Sequence, residues 1–137
     1  MPPDPLENLV KIGKLKAEPP AEKDINGLIN SGLARLKDSQ NESLNIESRF
    51  DLAYNSAHAL SLAALRKAGY RSDSRYIVFQ CLNHTLDFPN ESWRVLDNAH
   101  RLRNIAEYEG ELDVNGAVLE SLIRTVQKLA DLLGADE

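Results

Sequence analysis

The residues best suited to chemistry lie together in the run His100-Arg101-Leu102-Arg103-Asn104-Ile105-Ala106-Glu107-Tyr108-Glu109-Gly110. An arginine there can hold a phosphate or carboxylate with two parallel hydrogen bonds. A histidine can move a proton near neutral pH. His100 precedes Arg103 by three positions, so one helix face carries both. Upstream, Tyr54 and His58 share a face in the same way. The chemistry offered is an acid–base pair beside a phosphate clamp, with Arg103, Tyr108, His100 and His58 as catalytic candidates. Arg103, Asn104, Arg101, Tyr54 and Glu107 are the binding candidates. Tyr108 offers a phenol, a poorer base at neutral pH than an imidazole. A plainer reading uses the same residues. Arg103 pairs with Glu107 one turn on and reaches Asp51 on a neighbouring helix. Tyr108 caps that network or packs, and each histidine bonds a neighbouring helix. His84 is read as a surface residue near a helix end.

Positioning these side chains requires helices. Pro2, Pro3 and Pro5 predict an extended start, and Leu6, Leu9, Val10 and Gly13 predict a short helix ended by Pro19-Pro20. Ile25, Leu28, Ile29, Leu33 and Leu36 form one apolar stripe over 21–38. Gly27 and Gly32 weaken that helix but permit close approach of another. The longest segment, 43–68, repeats Phe50, Ala53, Tyr54, Ala57, Leu60, Ala64 and Leu65 at helical spacing, with Gly69 as its stop. A single helix is predicted over 72–87, despite the β propensity of Tyr76-Ile77-Val78-Phe79. Pro89 opens a helix that runs to Gly110, with Trp93 as a packing anchor. Asp113 is the expected cap of a last helix over 114–133. The predicted fold is all-α: an up-down four-helix bundle (21–134) preceded by an N-terminal arm with a short helix (1–20), so one or two additional helices precede the bundle.

The 137 residues suffice for one domain with its own core. Sixteen bases against 21 acids give a net charge of −5, which argues against a dedicated polyanion binder. The charge is uneven. Residues 64–103 hold seven bases and four acids, a net +3, leaving −8 elsewhere. Six of the seven bases are arginines, which suits an anion or RNA contact surface as well as arginine–acid pairing between helices. The lone cysteine, Cys81, excludes a disulfide framework and reads as a small buried hydrophobe. No Glu-x-x-His pair, Gly-rich phosphate loop or nucleophile elbow occurs, so neither metal nor cofactor is expected. No apolar run reaches membrane-spanning length, and the start lacks the basic and apolar regions of a signal peptide. The expected location is cytoplasmic, with no membrane partner.

Arg103-Asn104, three residues, then an aromatic position resembles the signature of the HEPN superfamily (higher eukaryotes and prokaryotes nucleotide-binding domains). The run Ser48-Arg49-Phe50-Asp51-Leu52-Ala53-Tyr54-Asn55-Ser56-Ala57-His58-Ala59-Leu60 is similar to an early helix of such proteins. The resemblance covers 43–133 in helix order. It implies a bundle of four or five helices, a homodimer, and in many members a metal-independent endoribonuclease of toxin–antitoxin or defence systems. Arg103 takes the arginine position and Asn104 the polar one, while Tyr108 stands where the catalytic histidine belongs.

That departure favours a non-catalytic binding or interaction module for a nucleotide, RNA or protein partner, a nucleotidyltransferase being the partner implied by analogy. The alternatives are a metal-independent ribonuclease toxin using Arg103 and Tyr108 with His100 or His58, and a purely structural homodimeric assembly protein.

Overall fold

Capping and helical periodicity build most of this chain. The computed structural model describes residues 4–134 and is mostly helical. The elements run α1 (Pro5–Lys11), β1 (Lys16–Ala17), α2 (Glu22–Ser39), α3 (Ile46–Lys67), β2 (Tyr70–Arg71), α4 (Arg75–Gln80), α5 (Leu82–Thr85), α6 (Asn90–Glu109) and α7 (Gly116–Leu133). Asp4 caps α1 by accepting from Leu6 N, Asn45 caps α3 by accepting from Ser48 N, and Ser74 caps α4 by accepting from Ile77 N. Gly69 follows α3 at φ +95°, a left-handed turn that favours glycine.

Alanine content explains why α3 lies at the centre. Its Ala53, Ala57, Ala63 and Ala64 are buried, so neighbouring helices approach closely. α2 packs along one side and α7 along another, while α6 leans on α7 and α4. Gly32 marks the tightest approach: a Cβ there would lie 2.7 Å from Leu60 Cγ. The Ser56 hydroxyl donates to the Gly32 carbonyl at 2.6 Å across the same contact. Leu60, Leu96, Leu122 and Leu129 complete the main core. Full burial of such a side chain contributes about 1.5–3 kcal/mol.

A second apolar cluster secures the N-terminal segment. Leu6 and Leu15 meet Leu65, Tyr70, Ile77, Val78 and Cys81. β1 and β2 pair antiparallel, Lys16 with Arg71 and Ala17 with Tyr70. Arg66, itself buried, donates to the carbonyls of Glu18 (3.1 Å) and Pro19 (3.1 Å) and pairs with the Glu18 carboxylate at 3.2 Å.

Several expectations change. The segment 72–87 is two short helices broken at Cys81, where a buried thiol occupies the turn between them. Pro5 is the first residue of α1 rather than extended, and Pro2 and Pro3 lie outside the described residues. α1 ends at Lys11, well before Pro19-Pro20, because the chain turns to form β1. α7 is capped by Asn115, which accepts from Val118 N, and not by Asp113. Pro89 is the N-cap of α6. Gly27 lies in open space, so only Gly32 serves close packing.

Candidate functional site

α3 and α6 bring together the two halves of the predicted constellation. The Tyr54 hydroxyl lies 2.9 Å from His100 Nδ1, and the two rings stack with centroids 6.2 Å apart. One turn further along α6, Asn104 Nδ2 lies 3.2 Å from His100 Nε2. With the Asn104 amide donating to Nε2, the neutral imidazole carries its proton on Nδ1 and donates it to the Tyr54 oxygen. Phe79 from α4 presents its ring edgewise to Tyr54, His58 and His100, with centroids 5.9, 6.2 and 6.1 Å away. Both histidines therefore share one aromatic neighbour.

Two guanidinium groups flank this centre. Arg103 lies 5.0 Å and Arg75 5.4 Å from the Tyr54 ring centroid, within cation–π range. Arg103 also donates to Glu107 at 2.8 Å and pairs with Asp51 at 3.6 Å. Arg75 donates to Asn55 Oδ1 at 3.0 Å. Two cations beside half-buried imidazoles oppose further positive charge. Burial, reinforced by Arg75, Arg103 and His100, lowers the His58 pKa to about 4. Burial lowers that of His100 too, with Arg75 and Arg103 adding to the effect and Asp97 and Glu107 opposing it. Burial raises the Tyr54 pKa against the pull of Arg75 and Arg103. Tyrosine and both histidines are neutral at neutral pH.

The α6 motif divides between two directions. At about 100° per residue, Tyr108 points about 140° around the helix from Arg103. Arg103 faces Tyr54 and Asp51. Tyr108 is 90% exposed, so it neither packs nor caps the arginine network. It instead borders an open groove of about 450 Å³ with Tyr76, Asp97, His100, Arg101, Asn104 and Ile105. Arg101 is exposed and donates to Asn98 at 2.6 Å. His84 is exposed near the end of α5. Trp93 donates from its indole to the Phe79 carbonyl at 3.0 Å, which fixes α6 against α4.

The seven central bases do not gather around the motif. Arg66 and Arg71 serve the Glu18 end of α3, Arg75 and Arg103 flank Tyr54, and Arg94 lines a different groove, between α6 and α7. Sequence separation misleads here because the long α3 carries its two ends far apart.

Sequence reasoning missed Asn55, Phe79, Tyr76 and Asp97 and gave Arg75 only a place in a charge count. Asn55 and Phe79 carried a faint signal: one adjoins Tyr54, and the other lies on a helical stripe with Tyr76. Among the described residues, no three His, Cys, Asp or Glu side chains converge on a metal position. Burial pushes the Cys81 thiol up to about 11, which makes it a packing group. No family model, no curated protein and no solved structure matches this chain.

Proposed function

We propose that this protein is a HEPN-like, up-down four-helix bundle that acts as a homodimeric, non-catalytic binding module for a nucleotide or single-stranded RNA. One observation carries the reading: the motif residues separate into a satisfied, partly exposed arginine–carboxylate network and an open aromatic groove. Arg103 already engages two carboxylates, and Tyr108 points away from it. No arrangement of these two residues around one phosphate is supported. The groove offers Tyr76 and Tyr108 as exposed rings and Asn104 as an amide beside them. Aromatic faces stack bases at about 1–3 kcal/mol each, and Arg101 at the rim suits a phosphate. The nucleotidyltransferase partner and defence-system role implied by the resemblance belong to this same reading. A fluorescent oligoribonucleotide titration tests it: Tyr76→Ala and Tyr108→Ala weaken binding, and the bound RNA stays intact.

A second reading, a metal-independent ribonuclease, draws on a different observation. His58 and His100 both meet Phe79, beside Tyr54, on whose ring Arg103 lies. In that reading His100 handles the proton that Tyr108 cannot. It requires RNA cleavage that His100→Ala and Arg103→Ala both abolish.

A further inference from the structure

A second groove lies between α6 and α7, away from the motif. It encloses about 380 Å³, at the small end of the range for small-molecule sites. Each wall is one helical stripe: Val95 and Ala99 on α6, Val118 and Leu122 on α7. Ala99 and Leu122 are buried and form the floor, with Val95 and Val118 half-buried above them. The short side chains of Ala99 and Ser121 leave the gap between the two helices unfilled. The result is an apolar slot open on one side.

The rim of this slot is cationic and rich in donors. Arg94 is exposed there and forms no ion pair among the described residues. Asn98 accepts from Arg101 through Oδ1, which leaves its amide N–H groups to donate. α7 also begins at this rim. Its cap, Asn115, satisfies Val118 N, while the N–H groups of Gly116 and Ala117 have no acceptor among the described residues. The positive end of the helix dipole therefore adds to the charge of Arg94. No carboxylate lines the groove to neutralise it. Charge complementarity selects an anion for the rim, and the apolar floor selects a hydrocarbon tail. The planar guanidinium matches a carboxylate with two parallel hydrogen bonds. An inorganic anion would meet the rim alone and leave the floor without contact. We propose that the α6–α7 groove binds a small monocarboxylate with an apolar tail, of the medium-chain fatty acid class. Its carboxylate lies on Arg94 and its tail runs between Val95 and Val118 toward Leu122. The groove shares no lining residue with the one beside Tyr108, so this site stands or falls independently of RNA binding.

Isothermal titration of the full chain with octanoate, with no nucleic acid present, tests the site. The wild type binds octanoate with a Kd of about 1 mM or tighter. Octanol, the same tail without the charge, binds at least about tenfold more weakly. Arg94→Gln weakens octanoate by at least about tenfold and brings it level with octanol. Arg94 is exposed, so that variant keeps its fold. Ser121→Phe fills the slot and weakens both probes, and matching far-ultraviolet spectra confirm that it folds. Absence of octanoate binding overturns the proposal, as does equal affinity for octanol or an unchanged Arg94→Gln. Displacement of octanoate by equimolar inorganic phosphate also overturns it, since the rim alone would then hold the ligand. A wild-type dimer that Ser121→Phe splits in sedimentation equilibrium assigns the groove to a second copy and overturns it as well.

Discussion

The hydroxyl of Tyr54 lies 2.9 Å from Nδ1 of His100, and this contact joins the central helix α3 to the motif helix α6. It makes a residue of the sequence-predicted constellation part of the packing between helices. Tyr54 is 1% exposed, so its hydroxyl has no ready replacement partner in water. Tyr54→Phe leaves His100 Nδ1 without its partner and is expected to cost about 1–2 kcal/mol in urea denaturation. The cleft-facing Tyr76→Phe serves as the comparison and is expected to stay within about 0.5 kcal/mol of wild type.

The two glycines of α2 predict opposite outcomes. Gly32→Ala drives a Cβ to 2.7 Å from Leu60 Cγ, and Leu60 is fully buried and cannot swing away. Overpacking of that kind costs about 1–3 kcal/mol. Gly27→Ala meets nothing within 4 Å and gains helix propensity, about 0.5–1 kcal/mol. Thermal melts of the two variants should therefore move in opposite directions.

His58 makes stability depend on pH. In the unfolded chain it titrates near ~6.5, and in the folded chain near about 4. Below pH 6.5 the unfolded state takes up a proton that the folded state refuses. Its contribution is thus present above pH 6.5 and is lost as the pH falls toward about 4. His100, also lowered, acts in the same direction. His58→Phe should flatten the difference in denaturation midpoint between pH 7 and pH 4.5, and an NMR titration of the His58 ring should read its pKa directly.

Arg66 ties the N-terminal segment to the end of α3 through two carbonyls and the Glu18 carboxylate. Arg66→Met keeps the apolar stem and removes all three contacts. The expected cost is about 1–3 kcal/mol. Glu18 is partly solvated, which places the ion pair itself at the low end of such effects. Hydrogen exchange should rise at the paired residues of β1 and β2 before it rises in α3.

The helical skeleton was legible because long amphipathic stripes leave one dominant period. The stripe from Ile25 to Leu36 and the alanine-rich face from Ala53 to Ala64 each predict the observed helix. The Arg103–Glu107 pair was legible because spacing along one helix fixes it, whereas the Asp51 contact was expected only because Arg103 borders the buried stripe and reaches toward a neighbouring helix. The break at Cys81 was not, since a four-residue helix carries too little pattern to reveal itself. The Tyr54–His100 bond spans 46 residues, and sequence spacing says nothing of contacts between helices. The clustering of arginines in sequence misled for the same reason. Tyr108 was placed in the motif by its position, whereas the turn of α6 carries it to the opposite side from Arg103.

The proposed binding role requires RNA to be held at the Tyr76–Tyr108 groove without being cut. Incubating the purified protein with a labelled single-stranded oligoribonucleotide in excess EDTA reads both properties in one gel. A retarded, intact RNA is expected, with retention reduced by Tyr108→Ala. RNA cleavage by the wild type that Arg103→Ala abolishes would contradict it.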